Sequence, residues 1–160
     1  MAGDMFIKIG DISGEAQDKA HSKEIEVLSW SWGVTNAGDA HKGSGGGSGK
    51  ASCQDLSITK YIDSASPKLA LACCKGTHYD TVQLTVRKAG DKPLEYIKIK
   101  LTQVTIAGIS TGTSGREDRL TENVGLNFAA ITYDYVPQGK DGSAGTTITM
   151  SYDFSQNTSE

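Results

Sequence analysis

A chain of 160 residues with a formal net charge of −3 and 37 % hydrophobic residues is long enough for one domain that buries roughly 70 % of its unfolded surface. The mild negative charge carries no electrostatic footprint for nucleic acid or an anionic membrane, and no apolar run reaches the about 18 residues that would span a bilayer. With 19 Gly and only 3 Pro, the composition leans toward strands and turns.

At the start, "MAGDMFIKIGD" has neither a basic n-region nor a long apolar h-region, so no secretory signal peptide is expected. "EIEVLSWSWGV" alternates like a strand, with Ile25 and Val27 in one phase and Leu28, Trp30, Trp32 and Val34 in the other. The loop that follows contains "GSGGGSGK" (Gly43–Lys50), which invites comparison with a phosphate cradle. A Walker loop needs G-x-x-x-x-G-K-[ST], so that backbone N–H groups, a lysine and a hydroxyl reach phosphates and Mg²⁺. Counting back from Gly49 and Lys50, the first glycine falls on Ser44, and the hydroxyl position is Ala51. The context also fails: no apolar strand precedes the loop, and "ASCQDLSITKYI" after it alternates like a strand rather than opening a helix. A long Gly/Ser-rich loop over 35–50 is the reading, with no nucleotide or other cofactor.

One helix is predicted over Ser66–Lys75, with Ser66 as N-cap, Pro67 at the first helical position and Gly76 as terminator. Three more strands follow. "TVQLTVRK" places Val82, Leu84 and Val86 on one side; "EYIKIKLTQVTIAG" runs Ile97, Ile99 and Leu101 in phase, then Val104 and Ile106. "ENVGLNFAAITYDY" switches likewise, from Val124, Leu126 and Phe128 to Ile131, Tyr133 and Tyr135. A one-residue phase switch turns the apolar set to the opposite face unless a bulge absorbs it. Long strands that change phase suit a coiled, barrel-like sheet, or strands with a second side buried against another subunit. "TITMSYDF" closes the pattern with Ile148, Met150, Tyr152 and Phe154 on one face, and the polar tail over 155–160 is expected to fray.

Catalytic constellations are thin. His21 lies in the charged "EAQDKAHSKE" and His41 in the glycine-rich loop. Cys53, Cys73, Cys74 and His78 lack metal-ligand spacing, and a cysteine ending an apolar helix reads as a small hydrophobe. The odd cysteine count, with two adjacent, fits synthesis in a reducing cytoplasm. Trp30 and Trp32 share one side of their strand: either a stacking platform for sugars, as in a lectin-like β-sandwich, or core residues continuing an apolar face. Alternation favours the core. Arg116, Glu117, Asp118, Arg119 and Glu122 read as a solvated turn or as charges that set register between subunits.

The blocks "DMFIKIGDISGEAQDKAHSKEIEVLSWSWG", "QDLSITKYIDSASPKL" and "REDRLTENVGLNF" together resemble the haemolysin-coregulated proteins, Hcp, of bacterial type VI secretion, over about Asp4 to Tyr135. That resemblance implies a compact β-barrel of two sheets with one flanking helix, as one domain over 1–160. It implies no active site; some members carry a C-terminal toxin domain, and with no extension after Glu160 none is expected here. It also implies a sixfold ring whose copies stack into a tube, inside a contractile sheath and tipped by the VgrG spike. Such a protein is made in the cytoplasm without a signal peptide, is itself secreted, and carries effectors in its lumen. The glycine-rich segment then corresponds to a ring-stacking loop, with Asn36, Gly38, Asp39, His41, Gly43, Gly45, Gly46, Gly47, Gly49 and Lys50 as its contact residues. Arg116, Glu117, Asp118, Arg119 and Glu122 become candidates for the subunit interface. With Trp30 and Trp32 in the core, alternation sends Ser29 and Ser31 to the opposite face, where they are assigned to the lumen wall.

Overall fold

The computed structural model describes residues 3–38, 50–90, 93–112, 115–116 and 118–159. In chain order these form β1 (Gly3–Ile9), β2 (Ile25–Glu26), β3 (Ser29–Ser31), β4 (Val34–Asn36), β5 (Ala51–Cys53), β6 (Leu56–Tyr61), α1 (Ser66–Lys75), β7 (His78–Lys88), β8 (Leu94–Thr111), β9 (Thr121–Tyr135) and β10 (Ile148–Asp153). The architecture is mainly β with one helix, as the alternation predicted.

The main sheet runs in the order β2-β1-β7-β8-β9-β6-β3, with β10 added to β9, and β4–β5 make a small second sheet. Its first and last strands, β2 and β3, are consecutive pieces of one segment. Between them, the Val27 N–H donates to the Met5 carbonyl on β1 (2.9 Å) and the Leu28 N–H donates to the Thr59 carbonyl on β6 (2.7 Å). These bonds draw β2 and β3, the two ends of the curled sheet, toward each other, so that the main path is not left with two open edges. The phase switch read at Val27/Leu28 is therefore the point where the segment changes partner strand.

The switches in β8 and β9 occur opposite one another. Leu101 pairs with Ile131 and Val104 with Phe128, with register unchanged between them; all four are buried. Gln103 adopts φ 51° at this point, a left-handed conformation that costs a non-glycine residue energy and rotates the strand by one residue. Further on, a register shift between Ile106 and Gly108 leaves Ala107 as a bulge. Both devices bend the two longest strands while keeping their apolar side chains in one core, built from residues such as Ile7, Leu84, Ile99, Leu126 and Leu69.

The helix lays Ala65, Leu69 and Ala72 on that core. It ends at Gly76, which takes φ 63°, a conformation open to glycine at no steric cost. Its start differs from expectation. Ala65 occupies the cap position, with no side-chain capping bond, and Ser66 is already helical. The reason is that the Ser66 hydroxyl is engaged elsewhere: it donates to Glu122 Oε1 (2.5 Å) and accepts from Lys60 Nζ (3.2 Å) and the Asp63 N–H (3.0 Å). Residues after β10 form a short turn. The Asp153 and Thr158 backbones bond reciprocally (2.9 and 3.2 Å), and Asp153 Oδ1 accepts from the Ser155 and Gln156 N–H groups (2.9 and 3.1 Å).

Near the end of β6 stands Lys60, with 0 % exposure. Its ammonium has three protons and three acceptors: Glu122 Oε1, Asp63 Oδ1 at 3.0 Å and Ser66 Oγ at 3.2 Å. Glu122 is 2 % exposed, so a carboxylate on β9 and an ammonium on β6 neutralise each other beside the first turn of α1. Removing one member of such a pair strands the other charge. Glu122→Ala is expected to cost about 3 kcal/mol in urea denaturation. The double variant Lys60→Met/Glu122→Leu should lose less than either single truncation, because neither member of the pair is then left buried and unpaired, and Asp63, partly exposed, keeps its bond from the Ala65 N–H.

Candidate assembly and lumen surfaces

Cross-strand partners share a sheet face, so the register defines what each face of the barrel presents. Ser31 pairs with Ser57, Ser57 with Gly125, and Gly125 with Gly108; one step along, Ser29 pairs with Thr59, Thr59 with Asn123, and Asn123 with Ser110. Two rows across four strands thus carry only glycine, serine, threonine and asparagine. Within this face Thr59 Oγ1 donates to Asn123 Oδ1 (2.7 Å), and Asn127 Nδ2 donates to Asp55 Oδ1 (2.9 Å). A shallow hollow of ≈ 390 Å³ is lined by Asp55, Ser57, Gly108, Ser110, Asn123 and Gly125, among others. The other side of the same strands is apolar: Trp30 pairs with Ile58, and Ile58 with Val124.

Ser29 and Ser31 are exposed on this polar face, and Trp30 behind them is half-buried. Both tryptophans pack against the core, and the Trp32 ring lies 6.5 Å from that of Tyr133. The ends of their row reach solvent, since Leu28 and Val34 are exposed. The pair braces the barrel wall and does not form an open stacking platform.

The charged turn divides. Arg116, Asp118 and Arg119 are exposed, and Glu117 lies outside the described residues. The Arg119 guanidinium carbon sits 3.7 Å from the centre of the Tyr61 ring, and the Ile62 N–H donates to the Leu120 carbonyl (2.9 Å), so the end of the turn is pinned to β6. Glu122, expected in a solvated turn, is instead the buried partner of Lys60. Its place on β9 turns it inward, toward Lys60.

Of the glycine-rich segment, Asn36, Gly38 and Lys50 are described and exposed. Asn36 pairs with Ala51 at the foot of the segment, on the β4–β5 ladder. Asp39, His41, Gly43, Gly45, Gly46, Gly47 and Gly49 lie outside the described residues. Among the described residues no group of three His, Cys, Asp or Glu side chains is arranged to hold a metal, and no helix is long and apolar enough to cross a membrane. Cys53 is half-buried, and burial pushes its thiol up from the usual value, which makes it a poor nucleophile.

One surface escaped sequence reasoning. On the β9–β10 pair, Ile148 faces Tyr135 and Met150 faces Tyr133. Ile148 is 64 % exposed, with Met150 and Tyr135 at 41 % each. This is the core face of β8 and β9 continued past the barrel wall, since Tyr135 also pairs with Ile97 and Tyr133 with Ile99. Among the described residues β10 pairs with β9 alone, so its outer edge has no strand beside it. The alternation of Ile148, Met150 and Tyr152 was visible in the sequence; that the face they make would have nothing packed on it was not.

The strand order and the single flanking helix define a mainly β protein built on one curled sheet, with a small second sheet beside it. The family model described as type VI secretion system effector, Hcp, matches residues 6–135. The chain is 53 % identical over 159 residues to protein hcp1 of Pseudomonas aeruginosa, covering 98 % of each. Among solved structures it is similar to a type six secretion system protein (TM-score 0.92, 34 % identity, 99 % of this chain and 100 % of that one). It is also similar to Hcp1 from Salmonella typhimurium (TM-score 0.82, 38 % identity, 100 % of both). The chain belongs to the Hcp family of type VI secretion, a family of secreted, structural tube proteins and not of enzymes.

The pinned turn generates a graded expectation. Arg119→Ala removes a cation–π contact and should cost about 0.5–1 kcal/mol in urea denaturation, whereas Arg116→Ala, exposed and away from that ring, should stay within about 0.5 kcal/mol of the parent.

Proposed function

We propose that the chain is a tube subunit: six copies form a ring, rings stack, and the tube is expelled with effectors in its lumen. The observation that carries the reading is the apolar edge at Ile148, Met150 and Tyr135. Exposed apolar surface at an unaccompanied strand edge is a liability in a free monomer. It becomes an asset when a neighbouring copy covers it in a head-to-tail contact that closes into a ring.

The small polar face fits the lumen. Cargo must be gripped weakly enough to leave after delivery, and adaptable hydroxyl and amide groups give modest affinity without a greasy wall. Ser29 and Ser31, at one end of its two rows, are proposed to line the lumen. Arg116, Glu117, Asp118 and Arg119 remain candidates for register between copies. The 35–50 segment is proposed as the stacking loop, with the VgrG spike and the contractile sheath as partners of the assembled tube and release into the medium or a target cell as its fate. Domain-wise, 1–160 acts as one unit.

Native mass spectrometry at micromolar concentration tests the ring. A hexamer supports it; a monomer that retains glycans would point to a lectin-like module. Ile148→Asp should keep the parent thermal transition of the subunit, because the side chain is already 64 % exposed, while abolishing the hexamer. Ser31→Gln should leave the hexamer intact and reduce accumulation of at least one co-produced effector. Misfolding of that variant would mean the two faces of β3 are assigned backwards.

A further inference from the structure

The face of β1 and β7 opposite the core breaks the alternation, because Phe6 and its cross-strand partner Thr85 are both buried. What covers Phe6 is the connection from Gly10 to Glu24, beside the Arg87 guanidinium 5.3 Å from the ring centre. His21 of this connection, 8 % exposed, stacks on the Phe6 ring with centroids 4.6 Å apart and planes 10° apart. Both ring nitrogens of His21 meet a carboxylate: Nδ1 lies 2.6 Å from Glu24 Oε2, and Nε2 lies 2.7 Å from Glu95 Oε1 at the start of β8. A neutral imidazole has one N–H and one lone pair, so it can satisfy only one of these contacts and must point the lone pair at the other carboxylate. Only the imidazolium donates to both.

We propose that His21 is a pH-sensing clasp: in its doubly protonated form it fastens the Gly10–Glu24 connection over β1, β7 and β8, and loss of one proton loosens that strap. This goes beyond the tube reading and does not depend on it.

On β1, Asp4 bonds Arg87 of β7 (2.9 Å), and Lys8 is exposed. On the strap, Asp18 bonds the same guanidinium at 2.6 and 3.2 Å. That hydrogen bond to Arg87 holds the Asp18 carboxyl down at about 2. Lys19 and Lys23 are exposed on the strap, as is Glu26, the Phe6 partner on β2. On β8, Lys98 lies 3.4 Å from Glu95. Burial favours the ionised form of neither His21 nor Glu95, yet the bonds between them, with those from Glu24 and Lys98, outweigh it. The imidazole is raised and the Glu95 carboxyl lowered from their ordinary values. Between mildly acid and mildly alkaline pH, His21 is therefore the member that titrates. Its contribution is complete below the unfolded value of about 6.5 and is lost as pH rises through the higher folded value. The Arg87–Asp18 bonds persist throughout, so the strap loosens at His21 while Asp18, three residues earlier, stays tethered.

Hydrogen–deuterium exchange of the full chain, corrected for the intrinsic rate at each pH, tests the clasp in the peptide spanning 17–25. Protection should fall about tenfold between about pH 5.5 and about pH 8.5, the factor expected when one charge-assisted hydrogen bond is lost. His21→Gln should be weakly protected at both. Protection that does not change with pH in the parent, or that falls equally in His21→Gln, overturns the proposal. Should His21→Gln fail to fold, Glu95→Gln serves: removing one counter-charge must move the midpoint to lower pH, and an unmoved midpoint sinks the idea.

Discussion

A charged ammonium without solvent must find its counter-charge inside the protein, since desolvating it alone costs several kcal/mol. Lys60 meets this demand by drawing three elements together: Glu122 from the start of β9, Asp63 from the turn after β6, and Ser66 from the first turn of α1. Each acceptor has one place it can occupy. The direction in which α1 leaves β6 and the depth at which β9 begins are set by the same group of atoms. Asp63 extends the constraint by accepting the Ala65 N–H (2.9 Å), which shapes the turn into the helix and leaves no cap for Ser66 to supply.

The rest of the barrel is arranged around that anchor by bending. β8 and β9 are too long for a flat, one-sided sheet of this size. They stay in one core because Gln103 and the Ala107 bulge turn them at chosen points. Closure then needs no further strand: the segment through Val27 and Leu28 reaches both edges. The same bending separates the outer surface into regions of different chemistry. A wall of small polar residues lies on β3, β6, β9 and β8; a strapped region lies over Phe6; an apolar edge emerges where β9 and β10 outrun the barrel.

These regions suit a subunit that works by contact. The polar wall is rich in groups that bond weakly and reversibly, and the apolar edge is the kind of surface that a partner must cover. Charge follows the same division. Lys60 and Glu122 serve the interior, Arg119 pins a turn through the Tyr61 ring, and Arg87 holds the strap through Asp18 and Asp4.

Much of this was legible in the chain itself. Alternation marks every long strand, the Ser66–Gly76 span marks the helix, and the failed Walker spacing removes the nucleotide reading, because these depend on neighbours a few residues apart. The polar reverse face of Ser29 and Ser31 follows from the same periodicity. What periodicity cannot carry is a partner distant in sequence. Glu122 looked like one more surface charge because Lys60 lies 62 residues away. His21 looked idle because Glu95 lies 74 residues away. Ser66 had every local mark of an N-cap, yet a buried ammonium competed for its hydroxyl and won. Local pattern determined which residues form strands and which side of each is apolar. Only the tertiary structure decided which charges would be buried together and which apolar face would be left bare, because both depend on what the folded chain brings alongside.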